Sequence, residues 1–203
     1  MNFSSRNITT RDMPEKISIA PSSQPAADFV LAHPLDEFYA LAGLILPPLV
    51  AVEGESVPEP YKRLLVHQND MTPTLEKFHR RRLHLEVLGR RRKDDSYFRE
   101  VSLLLDGTDR PVEFGAIKIN LALFAPAARE EILKEKLPLG TILQERAITH
   151  VSRPRAFIRL ASDPFINEVL KLSGAQMLYG RRNSLLDPQG QSLAEIVEIL
   201  PPT

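Results

Sequence analysis

The sequence predicts an α+β fold: a single domain built on an antiparallel β-sheet with flanking helices. Apolar residues alternate between residues 83 and 124 and again between 177 and 200, with short polar turns that suit hairpins. Stretches with apolar residues at helical spacing are interspersed among these strands without alternating one for one, which disfavours a parallel, doubly wound sheet. A chain of 203 residues that is 43% hydrophobic is long enough to bury one core.

Residues 1–30 carry Ser, Thr, Asn and Pro with no regular apolar period, which reads as a disordered leader before a domain over 31–203. Phe38, Leu41, Ala42 and Ile45 fall at helical spacing until Pro47-Pro48, and Tyr61, Leu64, Leu65 and Gln68 make a second short helical face. Thr72 before Pro73 reads as a capped helix start, with Leu75 and Phe78 on its apolar side. Leu83, Leu85 and Val87, then Val101, Leu103 and Leu105, predict two strands around a charged turn from Gly89 to Asp95. After the turn at Asp106-Gly107 comes a strand from Val112 to Phe124 whose apolar parity switches at Gly115-Ala116, where a bulge is expected. Pro126 opens a helix that Pro138-Leu139-Gly140 ends. Thr141–Val151 and Ala156–Leu160 read as strands, Asp163-Pro164 as the start of a helix stopped by Gly174, and Met177–Leu186 with Ser192–Leu200 as a closing hairpin.

Composition excludes several function classes. Twenty-six basic and twenty-six acidic residues cancel, so no global field draws the chain to nucleic acid or an anionic membrane. With no cysteine there are no disulfides, thiolate nucleophiles or thiolate metal ligands. The N-terminus lacks the pattern of a targeting peptide and no apolar run spans a bilayer, so a cytoplasmic protein is expected. There is no Gly-rich phosphate loop, His-Glu-x-x-His or Gly-x-Ser-x-Gly, and His79 and His84 are badly spaced for a shared metal. The clusters Arg80-Arg81-Arg82 and Arg90-Arg91-Arg92-Lys93 could edge a nucleic-acid surface. Zero net charge, 6% aromatics and the adjoining Asp94-Asp95 favour a solvated strand edge instead.

Three features hold chemistry. Arg99 shares parity with Val101, Leu103 and Leu105, so it points inward and needs a partner, either a protein carboxylate or an acidic ligand. Glu198 sits among apolar residues near the end of the last strand, and either pairs with Arg99, faces water or meets a ligand. Arg181 and Arg182, behind Gly180, offer guanidinium forks to an anion or are ordinary solvated hairpin charges.

Asp70-Met71-Thr72, Tyr97-Phe98-Arg99-Glu100, Pro138-Leu139-Gly140, Tyr179-Gly180-Arg181-Arg182 and Glu198-Ile199-Leu200-Pro201 occur in an order and spacing that resemble the chorismate lyase family, in particular its divergent cyanobacterial and plastid branch. The resemblance covers Leu65 to Pro202. It implies an antiparallel sheet with helices and a cofactor-independent lyase that eliminates pyruvate from chorismate to give 4-hydroxybenzoate, a quinone-ring precursor. By that resemblance Arg99 grips the ring carboxylate and Glu198 contacts the ring hydroxyl. Met71 and Leu139 line the ligand with backbone groups, and of Arg181 and Arg182 one reaches a ligand carboxylate and the other a structural one. The chain departs from the family in having Gly115-Ala116 where Gly-Arg is expected, with Lys118 as a substitute cation, and Tyr179 in place of tryptophan. No metal is implied, and the partners are substrate and product alone. The alternative is a non-catalytic sensor of aromatic acids, since the family fold resembles the effector domains of some bacterial transcription regulators. Residues 1–60 look too short and proline-broken for the helix-turn-helix such regulators carry. A third reading is a pyruvate-releasing relative acting on another chorismate-like acid.

Overall fold

A computed structural model describes residues 31–202, and the leader expected over residues 1–30 lies outside them. Among these residues the alternating segments pair into one antiparallel sheet of seven strands. They are β1 (Val50–Val52), β2 (Leu83–Lys93), β3 (Ser96–Leu105), β4 (Arg110–Asn120), β5 (Val151–Ala161), β6 (Met177–Leu186) and β7 (Ser192–Leu200), in the spatial order β1-β5-β6-β7-β4-β3-β2. The predicted α+β architecture is therefore present. No helix among the described residues is long and apolar enough to cross a membrane.

The sheet is covered on both faces, which is why its central strands are apolar at both parities. One face packs under α1 (Leu35–Ala42) and α6 (Pro164–Val169), where Leu35, Phe38 and Ile166 meet Phe114, Val197 and Ile199. Tyr39 ties these two helices together by donating to Asp163 Oδ2 at 2.9 Å. The opposite face carries α2 (Tyr61–Leu65), α3 (Met71–His79), α4 (Pro126–Leu133) and α5 (Leu139–Glu145). Its core divides in two: Leu64, Leu65 and Leu75 pack against Leu103, Leu105 and Leu200, while Ile132, Ile142 and Leu143 pack against Ile119, Leu185 and Ala194.

Several local expectations are corrected. The parity switch at Gly115-Ala116 is no bulge, because Val101 faces Gly115 and Glu100 faces Ala116 in unbroken register; the extra residue of β4 is Val112, skipped between the pairs Leu103–Glu113 and Leu104–Pro111. The charged turn is tighter than expected: β2 runs through its basic cluster to Lys93, and Asp94 turns the chain at φ 52°. Thr141–Val151 is not a strand. Its first half is α5, which buries Leu139, Ile142 and Leu143 at helical spacing, so Pro138 starts a helix where a stop was expected. The 35–45 helix ends at Ala42 on left-handed Gly43, leaving Leu41 and Ile45 exposed, and α6 ends well before Gly174. Helix α3 begins two residues early, with Asp70 at the N-cap and no side-chain cap bond, so Thr72 is not the cap.

Candidate functional site

The two halves of the helix-covered core leave a cavity of about 60 Å³ between the sheet and the starts of α3 and α5. Its floor follows from register. Directly opposed residues of an antiparallel pair share a face, so Val101, Gly115, Glu198 and Arg181 form one row across β3, β4, β7 and β6. Arg99 and Ile117 form the next row, and Leu103 and Glu113 the row on the other side. Gly115 lies at the middle of this floor, and a Cβ there would strike the Val197 carbonyl oxygen at 2.0 Å. Above it, α3 and α5 touch end to end: a Cβ on Gly140 would lie 2.9 Å from Thr72 Oγ1, so only glycine lets the two helix starts meet. Met71 and Leu139 both line the cavity beneath this contact. The first backbone N–H groups of a helix have no intrahelical acceptor, so both starts offer donors there.

Arg99 is 2% exposed, and its Nε and Nη1 are buried without a hydrogen-bond partner. Burial pushes its pKa down to about 10, opposed by Tyr97 and Glu135, so it remains a cation at neutral pH. The cavity wall includes the apolar side chains of Leu85, Val101, Leu103, Ile117 and Ile196. Glu198 also lines the cavity, but its partner is Arg181, whose Nε donates to Oε2. Arg181 is fully buried and donates further to the carbonyl oxygens of His67 at 3.2 Å and Asn69 at 3.1 Å. This guanidinium is committed to the protein, whereas that of Arg99 is not.

The structure thus brings Arg99, Glu198, Met71 and Leu139 to one cavity and holds Arg181 behind Glu198. It does not bring Arg182 or Lys118 there. Both lie on the opposite face of the sheet, where Arg182 reaches Glu195 at 3.4 Å and Lys118 stands over the Phe98 ring at 5.8 Å. Lys118 is therefore no substitute for a missing cavity cation: opposed to Phe98 and Glu195, it lies on the face of the sheet away from Gly115 and Ile117. The expected pairing of Glu198 with Arg99 or with water is replaced by its bond to Arg181.

Three cavity groups escaped sequence reasoning. Glu113 is 5% exposed with Oε2 unpartnered, and its pKa lies well above the carboxylate range because of burial first and the charge of Glu198 second, against the pull of Arg181. The inward-parity rule that singled out Arg99 would have found it, had β4 not been assigned a switch of parity. Asp70 lines the cavity with Oδ1 unpartnered while Oδ2 is 2.8 Å from His150 Nε2. Asn183 donates to Ser152 Oγ at 2.9 Å and leaves its own Oδ1 unpaired. No signal in the sequence joins His150 to Asp70. Among the described residues no three His, Asp or Glu side chains are grouped to hold a metal ion.

No family model matches the chain, and none of the curated proteins compared with it does. Solved structures do match. The effector domain of PhnF from Mycobacterium smegmatis is similar at a TM-score of 0.51 and 12% identity, over 67% of this chain and 90% of that domain. A second PhnF structure from the same organism is similar at 0.50 and 11%, over 82% of this chain and 92% of that one. The ligand-binding domain of a regulator assigned to the GntR family from Bordetella bronchiseptica gives 0.46 and 13%, over 59% and 85%. The chain therefore has the α+β fold of the PhnF effector domain, the fold that the resemblance to chorismate lyase implied.

Proposed function

We propose that this domain binds a small aromatic carboxylic acid in the cavity, with the carboxylate on Arg99. The observation that carries the reading is the buried guanidinium of Arg99 with Nε and Nη1 unpartnered. An isolated buried charge costs several kcal/mol, and a carboxylate that meets it with two parallel hydrogen bonds offsets much of that cost. Leu85, Val101, Leu103, Ile117 and Ile196 in the cavity wall suit a flat ring. The cavity of about 60 Å³ has room for a few waters, so a ring-sized ligand requires α3 and α5 to draw back from the sheet. Thermal unfolding with benzoate and 4-hydroxybenzoate tests this. A ligand at a hundred times its Kd adds about 2.7 kcal/mol, and Arg99→Met abolishes the shift. If neither acid stabilises the wild-type protein, the reading is wrong.

A second reading, elimination of pyruvate from chorismate, is favoured by one observation: Arg99, Glu198, Met71 and Leu139, which the resemblance singles out, line the same cavity. In that reaction the ring–oxygen bond of the enolpyruvyl ether breaks, a ring hydrogen passes to the leaving fragment, and the ring becomes aromatic. Positioning alone removes on the order of 7–11 kcal/mol from such a barrier in favourable cases. Chorismate carries two carboxylates, while Arg181 is engaged by Glu198. The second carboxylate would therefore fall to the first backbone N–H groups of α3, or to Arg181 after it parts from Glu198. Incubation with chorismate separates the two readings: 4-hydroxybenzoate and pyruvate above the spontaneous rate establish turnover, and their absence alongside ligand-induced stabilisation leaves a binding domain.

A further inference from the structure

We propose that Glu113 determines the specificity of this cavity, its carboxyl group donating a hydrogen bond to an uncharged oxygen at the end of the ligand remote from the carboxylate. The inference rests on the reading that Arg99 holds a ligand carboxylate.

Placement is the first argument. Residues two apart on a strand share a face and lie about 7 Å apart. Along β4, Ile117 marks the Arg99 row, Gly115 the open floor and Glu113 the far row, so Arg99 and Glu113 sit at opposite ends of the same floor. A flat acid lying over Gly115 with its carboxylate on Arg99 points its other end at Glu113 and Glu198.

The second argument is that Glu113 has no structural employment. Its side chain is 95% buried, with Oε2 unpartnered, and the nearby cation, Arg181, is spent on Glu198 and on backbone carbonyls. Buried polar groups are almost always satisfied, and exceptions need an explanation. Only the backbone oxygen of Glu113 is used within the protein, by Ser102 Oγ at 3.1 Å.

The two glutamates are also unlike each other. Glu198 is an acceptor whose charge Arg181 balances, while burial and the neighbouring charge of Glu198 favour the protonated form of Glu113 against the pull of Arg181. A protonated carboxyl brings a donor. A ligand hydroxyl can then donate to Glu198 and accept from Glu113, an arrangement that a ring bearing only hydrogen at that position cannot use.

The test is calorimetric titration of the full chain with benzoate and with 4-hydroxybenzoate, in the wild type, Glu113→Gln and Glu113→Leu. One net hydrogen bond gives the wild type about a tenfold preference for 4-hydroxybenzoate. Glu113→Gln keeps most of that preference because the amide still donates. Glu113→Leu leaves only the bond to Glu198 and loses most of that preference. Should Glu113→Leu fail to fold, Glu113→Met fills similar space and equally lacks the donor. A leucine or methionine variant that keeps the tenfold preference overturns the role of Glu113 and leaves the Arg99 reading standing, as does a wild type that binds both acids alike. A wild type that binds neither acid overturns both, and fails first at Arg99.

Discussion

Arg181 and Glu198 are directly opposed across β6 and β7 and share a buried ion pair, their side chains 0% and 4% exposed. Because the same guanidinium also bonds the carbonyl oxygens of His67 and Asn69, it fastens the sheet to the segment that enters α3. The pair supports the cavity from behind. It sets where Met71 sits as well as holding Glu198 in place.

Removing one partner is therefore far worse than removing both. Arg181→Met leaves Glu198 as an uncompensated buried charge and is expected to cost about 3–5 kcal/mol in urea denaturation. Arg181→Met with Glu198→Leu recovers a large part of that loss. An Arg181→Met protein within about 1 kcal/mol of wild type would show that the pair carries no such structural role.

Arg99 behaves in the opposite way. Its guanidinium has no counter-charge in hydrogen-bond contact among the described residues, so Arg99→Met relieves a buried, unsatisfied cation. The variant is expected to gain about 1–3 kcal/mol in the absence of ligand while losing its response to benzoate. Stability and function then part at a single residue, which equilibrium denaturation with and without benzoate reads directly. Destabilisation by Arg99→Met would mean that Arg99 is a structural residue.

The architecture was legible because periodicity reports burial. The strands over residues 83–105, apart from the second half of β2, those over 177–200 and the turn at Asp187–Gly190 are where alternation and turn chemistry place them. What misled was burial on two faces. In β4 both parities are apolar, so the irregularity was placed at Gly115-Ala116 when the extra residue is Val112, and that misplacement hid Glu113. Arg99 was legible from parity alone. The partner of Glu198 was not, because β6 and β7 place Arg181 opposite it only once their register is known, and register is a long-range property. The helix at Leu139 was missed because Pro-Leu-Gly suits a stop as well as a start.

The contact between Gly140 and Thr72 makes a steric prediction. Gly140→Ala puts a methyl 2.9 Å from Thr72 Oγ1 and 3.1 Å from its Cβ, forcing the starts of α3 and α5 apart. Overpacking of this kind costs about 1–3 kcal/mol. Thr72→Ala removes the closer of the two contacts, so the double variant should lose less than the sum of the single ones, a coupling that thermal melts of the four proteins measure. Strict additivity would mean that the two helix starts do not rest on each other.

His150 supplies the pH dependence. Its Nδ1 lies 2.8 Å from the Ile148 carbonyl oxygen and its Nε2 2.8 Å from Asp70 Oδ2, so both ring nitrogens face acceptors and only the imidazolium satisfies both. The hydrogen bond to Asp70 accordingly raises the pKa above 6.5 in the folded protein, against the opposing effect of burial. A group whose folded pKa is raised binds its proton more tightly when folded, so its contribution to stability is complete below 6.5 and fades as the pH rises through the raised value. Glu113, also raised, weakens the fold in the same direction but from its ordinary value of 4.5 upward, so wild-type stability alone does not separate the two. The difference between wild type and His150→Gln does. That difference should be level in acid and shrink from pH 6.5 upward in urea titrations at a series of pH values, and a difference that stays constant to pH 9 would show that the contact with Asp70 does not depend on the charge of His150. Because Asp70 is the N-cap residue of α3 and lines the cavity, acid affinity measured over the same range should weaken together with this contact.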